Sequence, residues 1–334
     1  MKMKKKALVM LSGGLDSILT VRVLKEQGID VEVVHFVMSF GGCAKKEEGY
    51  DRMADIASKL GVKLHRFDVS EEFLNVVKDP KYGYGNNVNP CVDCKIFMLK
   101  KAKQLMKEIG AAVVATGEVL GQRPMSQHRG ALKNIEIDSG LEGYLLRPLC
   151  AKHMKQTIPE KEGIIDRERL LNFHGRSRKP QMALAKEFGI DFYPSPAGGC
   201  LLTDPGYTSR LKDAMERGDI NLEIVSLLKV GRHFRLSNNA RLMVGRNEKE
   251  NNQLNDFCRD GDVLLEPLNI PGPTGLVKGE VSEEDFRICA SIIARYCSKA
   301  PMEGVDLKIA TSDGAVKKIH AEKIDDNELQ KLII

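Results

Sequence analysis

Lys4-Lys5-Lys6-Ala7-Leu8-Val9-Met10-Leu11-Ser12-Gly13-Gly14-Leu15-Asp16-Ser17 decides how the rest of this chain is read. Ala7 to Leu11 is an apolar run of strand length, and it stops abruptly at Ser12-Gly13-Gly14. Apolar residues then recur at Leu15, Leu19, Val21, Val23 and Leu24, which is helical spacing. A buried strand, a tight glycine turn and a helix N-terminus together make an anion site. Glycines let the backbone approach a phosphate closely, and Ser12 and Ser17 add hydroxyl donors. This is not the Gly-x-x-x-x-Gly-Lys-Ser/Thr phosphate loop, because no lysine follows the glycines. A lone Gly-Gly would favour an ordinary strand-to-helix turn. The whole hexapeptide behind a buried strand favours the anion site.

Outward from this stretch the chain alternates. A helix over Leu15–Gln27 is closed by Gly28, and Val31 to Val37 reads as a second strand. Gly41-Gly42 breaks it, Lys45 to Leu60 returns to helical spacing, and Val62 to Val69 is a third strand. Asp79 to Asn89, rich in Gly, Asn, Tyr and Pro, reads as a loop with the character of a lid. A helix from about Cys91 to Ile109 and a strand over Ala111–Ala115 follow. Leu145 to Leu149 looks like the last strand of this domain, and a helical stretch is expected near Glu160 to Leu171. Such alternation predicts parallel β-α-β units, whose ligands lie at the carboxyl ends of the strands. Ser12 stands at one such end and Met38 at the next, in position for an adenine.

Bulk properties set the class. The chain has 334 residues, 42% hydrophobic, with eight cysteines and a net charge of +5. That allows two domains and is too cysteine-poor for a disulfide scaffold, so a reducing, cytoplasmic location is expected. The five-residue apolar run is too short for a signal-peptide core or a membrane span. Counting Lys, Arg, Asp and Glu, residues 221–334 carry a net charge near −2 and residues 1–220 near +7. Two segments are locally basic: Arg176, Arg178 and Lys179 in one, and Arg232, Arg235, Arg241 and Arg246 in the other. Basic clusters in a near-neutral chain suggest contact with a polyanion, against the plainer reading of solvated surface.

Ser-Gly-Gly-x-Asp-Ser resembles the pyrophosphate loop of ATP pyrophosphatases, the PP-loop family, whose members cleave ATP between the α and β phosphates and adenylate a substrate oxygen. Thr116-Gly117-Glu118-Val119-Leu120-Gly121-Gln122, with Ser126-Gln127 close behind, resembles the second nucleotide-site motif of tRNA 4-thiouridine synthases. Glycine at a strand end allows close approach. Glu118 and Gln122 are candidates for bonds to ribose, adenine or a target base.

In the last third, a helix at Leu222–Leu228 precedes strands at Arg232–Leu236, Ala240–Val244 and Val263–Pro267. A helix over Phe286–Tyr296 and a strand at Val305–Thr311 come next. Strands without strict alternation indicate a separate α+β unit. Ala240 to Leu254, containing Val244-Gly245-Arg246-Asn247, resembles a segment of NFACT-type RNA-binding domains. The expected organisation is a parallel-sheet α/β PP-loop domain over 1–170, a connecting segment over 171–219, and a smaller α+β RNA-binding domain over 220–334.

Cys91 and Cys94 form a Cys-x-x-Cys at a helix start, and Cys200 follows in Gly-Gly-Cys. A helix N-terminus favours the thiolate. A redox pair and a structural zinc site are the competing readings. Zinc needs four ligands, and His153 and His174, the nearest candidates, lack finger spacing. Cys150, Cys258, Cys289 and Cys297 lie in apolar settings and read as structural, while Cys43 fits either class.

Three such cysteines resemble the iron–sulfur branch of tRNA sulfurtransferases, in which three thiolates hold a 4Fe–4S cluster with one open iron. The alternative is the cluster-free 2-thiouridylase scheme, with Cys94 and Cys200 as the persulfide and resolving pair and Cys91 superfluous. The resemblance implies an ATP-dependent tRNA sulfurtransferase. Ser12, Gly13, Gly14, Asp16, Ser17, Met38, Gly117, Glu118 and Gln122 would then hold ATP with Mg²⁺, and Cys91, Cys94, Cys200 and Asp16 would act in catalysis. Implied partners are tRNA and a sulfur donor, either sulfide or a cysteine desulfurase, with no membrane and with a homodimer allowed. The sequence opens on the first strand, so the ferredoxin-like and THUMP module of bacterial 4-thiouridine synthases is not expected, nor its manner of docking tRNA. An adenylating enzyme of small molecules and a non-catalytic RNA-binding protein are the readings from other classes.

Overall fold

The computed structural model describes residues 5–40, 51–193, 200–237, 240–311 and 315–334. Gly41, Gly42, Cys43 and the expected helix start at Lys45 lie outside them. The chain divides into two compact units, Met1–Asp204 and Pro205–Ile334. Segment 171–219 is shared between the two.

The first unit runs β1 (Lys6–Met10), α1 (Leu15–Lys25), β2 (Asp30–Val37), α2 (Arg52–Leu60), β3 (Lys63–Asp68), α3 (Ser70–Lys78) and α4 (Cys91–Glu108). It continues through β4 (Val113–Ala115), α5 (Arg129–Asp138), β5 (Leu145–Leu146), α6 (Ile158–Lys161) and α7 (Lys179–Glu187). The sheet order is β3-β2-β1-β4-β5, with all neighbours parallel. β1 is central, and Val9 sits between Val33 and Ala115. The chain builds one side of β1 and then crosses to the other, so the carboxyl ends of β1 and β4 flank the topological switch point.

Both faces of this sheet are covered, which is why β1 reads as a continuous apolar run. Ala7 and Val9 point to a core shared with Leu15, Ile18 and Leu19 of α1, Ile56 and Leu60 of α2, and Ala185 of α7. Leu8 points the other way, to Ile96, Leu99 and Ala102 of α4 and Ile135 of α5. The expected helix over 160–171 is instead α6 and a short 3-10 turn at Arg167–Arg169. Gly163 adopts φ 69, and Asp166 turns its carboxylate onto the Glu168 N–H, so local side-chain bonding competes with the helix.

The second unit runs α8 (Pro205–Arg217), α9 (Leu222–Leu227), β6 (Arg232–Arg235), β7 (Arg241–Val244), α10 (Glu248–Phe257) and β8 (Val263–Pro267). β9 (Gly275–Lys278), α11 (Glu283–Tyr296), β10 (Val305–Thr311), β11 (Val316–Ala321) and α12 (Asp326–Leu332) complete it. Its antiparallel sheet has the order β11-β10-β8-β9-β7-β6. α11 buries Cys289, Ala290, Ile292 and Ile293 against Phe234, Leu242, Leu265, Val277 and Leu307. The opposite face packs Met243 and Leu276 with Leu227 and Leu254. This is the separate α+β unit that the strand order predicts.

Candidate active site

The loop after β1 is built by sterics and an open helix end. Gly13 has φ +75, a left-handed conformation that disfavours a side chain, and a Cβ there would also displace the end of the flexible Met53 side chain, whose Cε would lie 2.3 Å away. Gly14 is the N-cap of α1 and no side chain caps that end, which leaves the first turn for an anion. Ser17 Oγ donates to Gly14 O at 2.8 Å, and the Ser12 and Ser17 hydroxyls stand 3.3 Å apart. Arg52 Nη2 donates to Gly13 O at 3.2 Å, which puts a cation beside the glycines that the sequence did not single out.

The loop after β4 packs directly on this turn. A Cβ on Gly117 would stand 2.6 Å from the Asp16 carbonyl carbon and 2.7 Å from Ser17 N. Gln122 Nε2 donates to Asp16 Oδ2 at 3.0 Å. Burial holds the Asp16 carboxyl above its ordinary value, against the Gln122 hydrogen bond and the charges of Arg178 and Arg123. Several buried polar atoms have no partner in this part of the unit: Asp16 Oδ1, Gln122 Oε1, Ser126 Oγ, Gln127 Oε1 and Arg178 Nε. The Gln181 amide misses strict hydrogen-bond geometry but lies close enough to the Asp16 carboxylate to favour its charged form. Unsatisfied buried groups are rare and costly, so donors and acceptors left open around Asp16 suit a polar, charged ligand. Met38, half-buried, packs against the core at the end of β2.

Two of these residues were not foreseen here. The sequence reading makes Arg178 an RNA contact beside Arg176 and Lys179, whereas its charge lies within reach of Asp16. Gln181, in α7, is wholly buried. Neither has a motif, and only tertiary packing of α7 on α1 brings them in.

Glu118 has its oxygens committed within the protein. Lys95 Nζ donates to Oε1, Arg147 Nε to Oε2 at 3.1 Å, and Thr116 Oγ1 to Oε2 at 3.2 Å. Burial raises the carboxyl, but the charges of Lys95 and Arg147 outweigh it and hold Glu118 at about 2. Lys95 follows Cys94, so this pair ties the start of α4 to the loop that packs on Asp16.

α4 begins at Cys91, as the Cys-x-x-Cys reading expects. The expectation of a favoured thiolate does not hold at Cys94. Desolvation of the thiol, then the neighbouring Cys200 and Cys91 charges, push it up to about 12, although the residue as a whole is only half-buried. A helix terminus contributes roughly 1 kcal/mol, less than one pKa unit, so desolvation wins. Cys200 is exposed as a residue, but local desolvation of its thiol, whose Sγ lies 3.8 Å from Phe40 O, also raises it, and Cys91 adds to that rise. The three thiols are therefore electrostatic neighbours, although 91 and 200 are far apart in sequence. Among the described residues, no three His, Cys, Asp or Glu side chains are gathered closely enough to hold a metal as they stand. As a donor set, three soft sulfurs suit iron–sulfur ligation, and a coordinating metal deprotonates a thiol that burial keeps neutral. Cys150, Cys289 and Cys297 are buried and Cys258 is half-buried.

The loop at 79–90 is pinned. Tyr82 N donates to Asp93 Oδ2 at 3.0 Å, Tyr82 Oη to Asp138 Oδ2 at 3.0 Å and Tyr84 Oη to Val77 O at 2.5 Å.

Of the candidate RNA contacts, Arg176 and Lys179 are exposed. In the second unit, Arg232 stacks over the Tyr296 ring at 4.4 Å, and Arg246 Nη2 bonds Glu250 Oε1 at 2.6 Å. Arg235 Nε donates to Asp213 Oδ1 at 3.2 Å and Arg241 Nη2 to Asp213 Oδ2 at 2.7 Å. The Arg241 side chain is 3% exposed. No helix among the described residues is long and apolar enough to cross a membrane.

Comparison with known proteins agrees with both units. Residues 5–159 match the family model described as tRNA methyl transferase HUP domain, and residues 231–333 match that described as NFACT protein RNA binding domain. The chain is 34% identical over 145 residues to the tRNA-specific 2-thiouridylase MnmA of Campylobacter lari, covering 42% of this chain and 41% of that protein. It is 28% identical over 232 residues to the MnmA of Clostridioides difficile, covering 64% and 59%. The chain thus spans less than two thirds of these curated relatives. A solved 4-thiouridine synthetase–RNA complex with bound ATP is 20% identical over 66% of this chain and 52% of that one, at a TM-score of 0.37, too low to carry an argument. Residues 5–159 are thus similar to the tRNA methyl transferase HUP domain family, and residues 231–333 to the NFACT RNA-binding domain family.

Proposed function

We propose that this chain is an ATP-dependent tRNA sulfurtransferase that replaces a uridine carbonyl oxygen with sulfur. The observation that carries the reading is the neighbourhood of Cys91, Cys94 and Cys200 in the same unit as the uncapped helix end at Gly14. ATP binds with its phosphates at Ser12 to Ser17, where backbone N–H groups and Arg52 stabilise pyrophosphate as it leaves. Asp16 Oδ1, buried without a partner, is the acceptor suited to Mg²⁺. Gly117 lets the second loop close on Asp16, and Gln122 holds the Asp16 carboxylate. Met38 lines the adenine side. Glu118 fixes Lys95, and so the first turn of α4. The relatives' name, 2-thiouridylase, supports a uridine carbonyl as the group that attacks the α phosphate.

Cys91, Cys94 and Cys200 would hold a 4Fe–4S cluster, which supplies an open iron able to bind sulfide. The raised Cys94 supports this over the persulfide scheme with Cys200. A thiol held protonated at neutral pH is a poor free nucleophile but an acceptable ligand once metal displaces the proton. The sulfur source is sulfide or a cysteine desulfurase, and the setting is the cytoplasm. The second unit, through Arg232 and Arg246, and the exposed Arg176 and Lys179 hold tRNA, whereas Arg235 and Arg241, expected from the sequence to do the same, are committed to Asp213. A homodimer fits this reading without being required by it.

Anaerobic purification with assay of iron and acid-labile sulfide tests the cluster. About four irons per chain are expected, lost on Cys91→Ala. Absence of iron after reconstitution returns the persulfide scheme. Nucleoside analysis of tRNA from a deletion strain tests the function, and an unchanged set of thionucleosides overturns it.

A further inference from the structure

Cys200 lies more than a hundred residues from Cys91, and something must aim it. Asn87 Nδ2 donates to Thr203 O at 2.9 Å, a bond across 116 residues. Its two ends stand four residues before Cys91 and three after Cys200. The acceptor is a carbonyl, so the contact identifies the amide's donating end. Asn87 has φ 57, the one positive φ outside glycine among the described residues. The left-handed region disfavours most side chains and tolerates asparagine.

Both ends of the bond are stiff. After Cys200, Leu201–Thr203 is a 3-10 turn, with Thr203 N and Oγ1 donating to Cys200 O at 2.8 and 2.6 Å. Leu202 in this turn is buried. Before Cys91, Val88, Asn89 and Pro90 are buried and lead without slack into α4. A rigid path therefore runs from the Cys200 carbonyl through Thr203 and Asn87 to the first turn carrying Cys91 and Cys94. We propose that Asn87 is a positioning residue, held left-handed so that its amide fixes the Cys200 segment against the Cys-x-x-Cys segment. The proposal rests on the reading that the three thiols act together, and it is tested without ATP, tRNA or sulfur.

A short bismaleimide is added to the full-length protein after a chelator has stripped any bound iron under reducing, anaerobic conditions, and linked cysteine pairs are mapped by peptide mass spectrometry. The wild type is expected to link Cys91 to Cys200. Asn87→Gly keeps the left-handed backbone and removes the amide, and it should form this link about tenfold more slowly as the effective concentration falls. Its melting temperature should be unchanged. Asn87→Asp keeps size and backbone tolerance, loses the donor and should behave alike. Linking at the wild-type rate in either variant overturns the proposal. So does loss of the fold in both, since the bond would then hold the unit together rather than aim one thiol. If linking slows but no thionucleoside depends on the protein, the function fails and the positioning role stands. If thiolation is lost while linking is unchanged, the reverse holds.

Discussion

Gly117 touches the peptide of Asp16 so closely that a methyl group on it would stand 2.7 Å from the Asp16 carbonyl oxygen. Two loops at the ends of β1 and β4 are thereby pressed into one wall. The contact needs space rather than an unusual backbone, since Gly117 has no positive φ.

Gly117→Ala should force the loops apart. Overpacking of this kind costs about 1–3 kcal/mol, and a misplacement near 1 Å lowers rates about 100-fold. Melting and the rate of AMP release with tRNA would both fall. A variant that melts lower but releases AMP at the full rate would sink the idea that this contact aligns the loop.

Glu118 gives a pH signature. Its folded value of about 2 lies below the ordinary 4.5, so its contribution is fully present above 4.5 and lost as pH falls towards 2. The difference amounts to about 3 kcal/mol. Glu118→Gln should remove that acid dependence and lose about 3–5 kcal/mol at neutral pH, because Lys95 and Arg147 keep buried charges without a partner. Denaturant midpoints from pH 3 to pH 7 measure both, and a parallel pH profile for the variant would refute the assignment.

Cys94 should resist alkylation. With its pKa pushed up to about 12, it should react with iodoacetamide about 10³-fold more slowly at pH 7 than an unperturbed thiol. Mass mapping of alkylated peptides gives the rate. Labelling as fast as free cysteine would mean that the thiol is not desolvated.

The basic residues should separate by burial. Arg176→Ala and Lys179→Ala, both exposed, should each reduce the salt slope of RNA binding by about one. Asp213→Asn should instead lower stability by about 3–5 kcal/mol, because it leaves the buried Arg241 without its closest carboxylate. RNA titrations at several salt concentrations, with melting curves, distinguish the two. Equal effects on both readouts from all three variants would contradict the division.

The parallel sheet was legible because β1 states its burial in five consecutive residues and its termination in two glycines. The loop after β4 was legible for a similar reason, as a strand end with glycine at Gly117. Helix α5 was not, because Ala131, Leu132 and Ile135 offer only a narrow apolar stripe. The roles of Lys95 and Arg147 were hidden for a different reason. Their partner, Glu118, is close only in space, and a glutamate at a strand end reads equally as ligand donor or buried counter-ion. Arg241 shows the same limit, since its sequence neighbourhood is a basic patch and its structural one is Asp213. Cys94 was read from the helix terminus alone, and burial, invisible in the sequence, reverses the sign.

Helix α1 has buried residues on every side, eight of its eleven, from Leu15 to Leu24. Its first turn, the proposed phosphate end, is also a piece of the central core. The proposed nucleotide-gripping turn is thus anchored in packed side chains. Backbone amides there should exchange with solvent only when the whole unit opens, so any gating must be done by the opposite wall.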